Sequence, residues 1–165
     1  MTPTRRSPVR AVRRSVAACG AAMLLASLLS ACATTVSLQP APAADSPDCA
    51  AVTVRLPATV DGQPRVWTDA QATGAWGAPS SVILTCGLEP PGPSTLQCQS
   101  VGGVDWLIDD SEAPRYRFTT FGRVPAVEVY LDYDVVSGND VLSALSGAVG
   151  MLPSTDLECV DRPTD

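Results

Sequence analysis

Asp105, Asp109, Asp110 and Glu112 form the densest cluster of chemically capable side chains in this 165-residue sequence. Two carboxyl groups held close together can act as the acid/base pair of a glycosidase, and clustered carboxylate oxygens can ligate calcium. The same residues equally describe a strand end running into a solvated turn, where Asp and Ser are common. The D-x-D-x-D-G order of a calcium loop is absent, so the turn is the expectation, with no metal site and no cofactor. Composition closes other routes. The chain has no histidine, which removes nucleophilic catalysis with an imidazole base, and no lysine, which removes a Ser–Lys pair. An enzyme built from these residues would be a carboxylate-dependent hydrolase of cell-wall material using Asp109, Asp110 or Glu112. The leading expectation is a protein with no catalytic residue.

Binding offers more candidates. Trp67, Trp76 and Trp106 present aromatic faces on which a sugar or peptide can stack. A tryptophan in a domain this small is more often core, and Gly77 beside Trp76 suits tight packing. Arg123 lies in a turn between two strands, where its planar fork could clamp an anionic ligand. The competing expectation is a structural pair with Asp105 or Glu128.

Six cysteines sort by position. Cys19 falls within an N-terminal export signal, and Cys32 closes it in Leu29-Ser30-Ala31-Cys32. Five arginines precede an apolar run from Val16 to Leu29, which as a helix would span roughly 20 Å at about 1.5 Å per residue. That is too short for the ~30 Å hydrocarbon core of a membrane and suits a signal peptide. Small residues before a cysteine are what a lipoprotein signal peptidase reads, so residues 1–31 are expected to be removed and Cys32 to carry a lipid. Ala31-Cys32-Ala33 also fits ordinary cleavage after Ala33, which would release a secreted protein. Arg13-Arg14 is a weak hint of twin-arginine export. Cys49, Cys86, Cys98 and Cys159 remain, and an even number in a small exported domain implies two disulfides with three possible connectivities. A zinc site would want a C-x-x-C pair or histidine, and neither exists.

Removing the leader changes the charge. Its five arginines leave and no acid does, so six arginines face seventeen Asp and Glu, a net charge of −11. A surface this acidic excludes nucleic acid as a partner and would be repelled by anionic headgroups. The expected partners are the membrane, through lipid on Cys32, and an envelope protein or cell-wall ligand, as for a non-enzymatic accessory or binding module at the outer face of the cytoplasmic membrane. A purely structural lipoprotein with no ligand is the further alternative.

The elements that must position these residues read as follows. Residues 32–47 are rich in Ala, Pro, Ser and Thr and are expected to be a disordered tether, reaching about 50 Å at ~3.3 Å per residue. Residues 48–160 are expected to form one domain and 161–165 a disordered tail. Ser46-Pro47-Asp48 is a helix start, and Pro57 with Asp61-Gly62 stops that helix. Residues 60–80 show no clear period and read as mostly loop. Strands are expected over Ser81–Cys86, Leu96–Val101, Val104–Ile108, Arg115–Phe121 and Val127–Tyr133, with a bulge or hairpin at Gly102-Gly103. A helix from about Asn139 to Met151 carries Val141, Leu142, Leu145, Ala148, Val149 and Leu152 on one face. The resulting expectation is α+β: a small antiparallel sheet of about four strands, disulfide-stapled, with the N-terminal and C-terminal helices packed on one face.

Several local patterns then match a known family. They are Cys49 ahead of Leu56-Pro57, Trp76-Gly77-Ala78-Pro79, Val82 to Gly87, Gly103-Val104-Asp105-Trp106, Phe118-Thr119-Thr120-Phe121-Gly122-Arg123 and the closing Leu-Ser-Ala helix. In order and spacing they resemble the actinobacterial exported proteins catalogued as domain-of-unknown-function family 3515, over about residues 48–152. The resemblance implies an envelope protein of unassigned biochemistry and brings no catalytic residues. It also implies that Cys49 pairs with Cys86, leaving Cys98 to pair with Cys159.

Overall fold

The computed structural model describes residues 35–160. The expected export signal, the expected lipid site Cys32 and the expected disordered tail 161–165 lie outside the described residues. Nine strands and two helices follow one another as β1 (Thr35–Val36), α1 (Pro47–Thr53), β2 (Thr59–Val60), β3 (Gln63–Thr68), β4 (Thr73–Trp76), β5 (Val82–Leu88), β6 (Gln97–Val101), β7 (Val104–Glu112), β8 (Arg115–Phe121), β9 (Ala126–Asp132) and α2 (Gly138–Val149). The strands form a single sheet of order β1-β3-β4-β5-β9-β8-β7-β6, with β2 paired to β3 beside that path. All neighbours are antiparallel except β1 and β3.

This corrects the expected four-stranded α+β sheet: a large sheet of nine strands dominates the domain. The missing strands lie where the side-chain pattern is silent. β4 is buried at all four positions, so it shows none of the alternation that marks a half-exposed strand. β3 contains Pro64 and is mostly exposed, as an edge-proximal strand tolerates, and β1 and β2 have two residues each.

The expected tether is also corrected from residue 35 onward. Val36 pairs with Thr68, the Leu38 amide donates to Asp69 Oδ1 at 2.8 Å, and the Ala43 amide donates to the Gly87 carbonyl at 3.0 Å. Ala44 enters the core. The composition of this stretch offers little apolar surface, but its backbone finds partners, and Gly87 lets it approach closely. A Cβ on Gly87 would sit 2.6 Å from the backbone of Ala43 and Ala44, and its φ of +108° disfavours any other residue.

Local signals account for the remaining elements. Ser46 caps α1 through a bond from the Asp48 amide, with Pro47 in the first turn. Ser137 caps α2 by accepting from the Asp140 amide, and Pro153 follows its end. On β9, Val127, Val129 and Leu131 are buried while Glu128, Tyr130 and Asp132 are half-exposed. Gly102 and Gly103 both have positive φ, as a tight two-residue hairpin between β6 and β7 requires.

The core lies between the two helices and one face of the sheet. It joins Val52 of α1 and Leu145 and Val149 of α2 to Trp76, Val82, Leu84, Trp106, Phe118 and Val129. Burying each such side chain is worth about 1.5–3 kcal/mol. The Cys49–Cys86 disulfide ties α1 to β5 within this layer. Ser146 of α2 donates to Val101 at the end of β6 (3.0 Å) and shares that bond with Leu142 (2.7 Å).

Candidate functional site

The opposite face of the sheet carries an open concavity. It is a groove of about 1210 Å³ between β6 and the C-terminal segment 154–160. Register builds its floor: Cys98 faces Leu107, Ser100 faces Asp105, and Asp105 faces Phe121, all on the side away from the helices. β6 ends the sheet and pairs only with β7, so its outer backbone groups lack a strand partner, as on any sheet edge.

The far wall is held by a series of bonds. The Thr155 amide donates to the Gly122 carbonyl at 2.9 Å, and the Val124 amide donates to the Pro153 carbonyl at 3.0 Å. The Cys98–Cys159 disulfide joins the segment to β6. Asp105 accepts from the Cys159 amide through Oδ2 at 2.7 Å and from the Ser100 hydroxyl through Oδ1. Both disulfides are the pairs that the family resemblance implied.

Arg123 reaches the groove but pairs with neither Asp105 nor Glu128. Its Nη1 donates to the Leu152 carbonyl at 2.9 Å and its Nη2 to the Gly103 carbonyl at 3.1 Å. The guanidinium thus ties the β8–β9 turn to the β6–β7 turn and to the end of α2. Five donors in a fixed plane suit such a task, because one side chain can then serve carbonyls from two separate turns at once.

The three tryptophans do not converge. Trp76 is fully buried and donates Nε1 to the Pro57 carbonyl at 3.0 Å. Trp106 is fully buried, and its Nε1 has no hydrogen-bond partner among the described residues. Trp67 is 75% exposed, on β3, near the opposite edge of the sheet from the groove.

Of the acidic cluster, Asp105 lines the groove whereas Asp109, Asp110 and Glu112 do not. Glu112 receives Arg117 Nη2 at 3.0 Å through one oxygen and the Tyr130 hydroxyl at 3.0 Å through the other. Arg117 also reaches Glu128 at 3.3 Å and lies 4.5 Å from the centre of the Tyr130 ring. Arg117 and then Tyr130 hold the Glu112 carboxyl below its ordinary range. Hydrogen bonds from Ser111 do the same for Asp109. A glycosidase acid needs the reverse, a carboxyl kept protonated near neutrality. Among the described residues no three His, Cys, Asp or Glu side chains are grouped to hold a metal ion.

The Arg117 network and the groove escaped sequence reasoning. The network joins residues on three strands whose register the sequence does not print. For the groove one signal existed: a cysteine as late as Cys159 must bring the tail back to wherever its partner lies.

Two disulfides place the domain in an oxidising, extracytoplasmic compartment. Among the described residues no helix is long and apolar enough to cross a membrane. No curated protein and no solved structure matches the chain. A family model described as a protein of unknown function does match residues 11–157, nearly the whole chain, and the protein therefore belongs to family DUF3515.

Proposed function

We propose that this is a lipid-anchored envelope protein that binds an envelope protein or cell-wall ligand in the groove beside β6 and catalyses no reaction. The observation that carries the binding role is the state of the groove's charged groups. Asp105 and Arg123 both face it, yet both are engaged by internal partners. That leaves Glu158 on the tail wall as a single exposed carboxylate, without the second free carboxyl that an acid/base pair needs, so the groove offers shape and hydrogen bonding. Its exposed rim of Ser94, Leu96, Gln97, Gln99 and Ser100 is uncharged, and the unpaired edge of β6 suits an extended ligand that adds main-chain hydrogen bonds. The anchor rests on the Leu29-Ser30-Ala31-Cys32 sequence.

Two measurements test this reading. The mass of the mature N-terminus should show a diacylglyceryl-modified Cys32; an unmodified chain beginning at Thr34 would overturn the anchor. Titration of the isotopically labelled protein with soluble peptidoglycan fragments, and with peptides from co-purified envelope proteins, should shift amides of residues 94–100 and 154–160. Turnover of the fragments would overturn the non-enzymatic role, and shifts confined to other surfaces would overturn the groove.

A further inference from the structure

We infer that the β1–β3 edge of the sheet lies flat against the membrane surface, with the Trp67 indole at headgroup level and the groove held away from the bilayer. This rests on the reading of Cys32 as the lipid-bearing residue. The chain leaves almost no slack between lipid and fold. Thr35 is the third residue after Cys32, and three extended residues reach at most about 11 Å. From Thr35 onward the segment is fixed: Thr35 sits opposite Trp67 and Val36 opposite Thr68, and the Asp69 amide donates to the Val36 carbonyl at 3.2 Å.

What this short connection brings to the membrane is apolar on both faces of the sheet. On one face Trp67 is 75% exposed. On the other a hollow of about 250 Å³ is lined by Val36, Val66, Ala78 and Pro79, with Gly77 and Ser80 and no charged side chain. Tryptophan favours the headgroup region, where its ring is desolvated while its N–H still finds a partner. The nearby charged groups are engaged: Arg65, two residues before Trp67, donates Nη1 to the Leu56 carbonyl at 3.4 Å and lies 6.0 Å from the centre of the Trp76 ring, and Asp69 accepts from the Leu38 amide. Two acyl chains already suffice for stable attachment, so this edge sets orientation more than affinity. β6 lies seven strand steps from β1 in the sheet, up to about 34 Å at ~4.8 Å per step, which points the groove outward.

The experiment uses the full-length lipidated protein in phosphatidylcholine–phosphatidylglycerol vesicles whose acyl chains are brominated near the headgroup. Trp76 and Trp106 are fully buried, so the emission lost in Trp67→Phe isolates Trp67, and the exposure of that ring keeps the variant folded. Brominated lipid should remove about half or more of the Trp67 emission, and acrylamide quenching of it should fall about threefold relative to unlipidated protein beginning at Ala33, as for a ring moved into the interface. Lipidated protein whose Trp67 stays as open to acrylamide as in solution overturns the docking and leaves the anchor standing. Trp67 shielded from acrylamide but untouched by bromine is covered by protein or a second copy, which also overturns it. An N-terminal mass without lipid overturns the anchor reading, and the docking with it.

Discussion

Arg123 shows how a residue suited to a ligand can be committed to the fold. Its guanidinium serves the Leu152 and Gly103 carbonyls, and hydrogen bonds from a charged donor are worth about 1.5–3 kcal/mol each when a neutral pair gives less. Arg123→Ala should lower the melting temperature by several degrees, and Arg123→Lys should not recover it, because a point ammonium cannot span two carbonyls in one plane. A melting temperature within a degree of wild type in calorimetry would count against this structural role. Glu112 carries a pH dependence of definite sign. Its folded pKa is depressed by Arg117 and Tyr130, so its contribution is fully present above the unfolded value of about 4.3 and is lost as pH falls through the lower folded value. The carboxylate is exposed, which keeps the effect small. Glu112→Gln should flatten the acid limb of the urea midpoint between pH 7 and 3, and a limb as steep as wild type would reject the assignment.

At the scale of elements, the two disulfides do different work. Cys49–Cys86 closes a separation of 37 residues inside the core, and both cysteines are fully buried. Cys98–Cys159 closes 61 residues and secures the segment that walls the groove. Chain entropy alone values each at about 4 kcal/mol, slightly more for the longer loop. Packing should reverse that order. Replacing Cys49 and Cys86 together by Ala also leaves a cavity under α1, whereas the Cys98→Ser/Cys159→Ser pair should mainly free residues 154–160. Urea unfolding should therefore show the larger loss for the first pair, and hydrogen exchange should show the second loosening only the tail; equal losses would refute the distinction. Gly87→Ala should detach residues 41–46 from β5, since its Cβ meets the Ala43–Ala44 backbone. The same elements show what the sequence made legible. β8, β9 and α2 stood out because each is buried on one side and its residues alternate or recur accordingly. β4 is buried on both sides, and residues 35–46 hold on by backbone bonds, so neither writes a side-chain pattern. Arg123 and Asp105 were picked out as a candidate and its expected partner, but the carbonyls that Arg123 serves have no sequence signature. The groove depends on a tail without periodicity and on register across β6, β7 and β8.

For the whole molecule, charge and the proposed lipid anchor would make opposing contributions. Residues 32–165 carry six arginines against seventeen acids, so an anionic bilayer would repel a domain that a lipid on Cys32 held beside it. A peripheral protein held by basic residues is released by salt, because screening weakens attraction. Here screening weakens repulsion instead: the Debye length shrinks from about 10 Å at 0.1 M to about 3 Å at 1 M, while apolar burial of acyl chains and Trp67 is undiminished. The membrane-bound fraction of the lipidated protein should therefore stay constant or rise when vesicles containing phosphatidylglycerol are washed from low to high salt. Unlipidated protein beginning at Ala33 should stay in solution at low salt, since one exposed indole gives far less than two acyl chains, at about 0.8 kcal/mol per buried CH₂. Sedimentation of the vesicles measures both. Release of the wild-type protein by 1 M salt would show that charge holds it to the membrane, and the acidic surface gives such a hold no source.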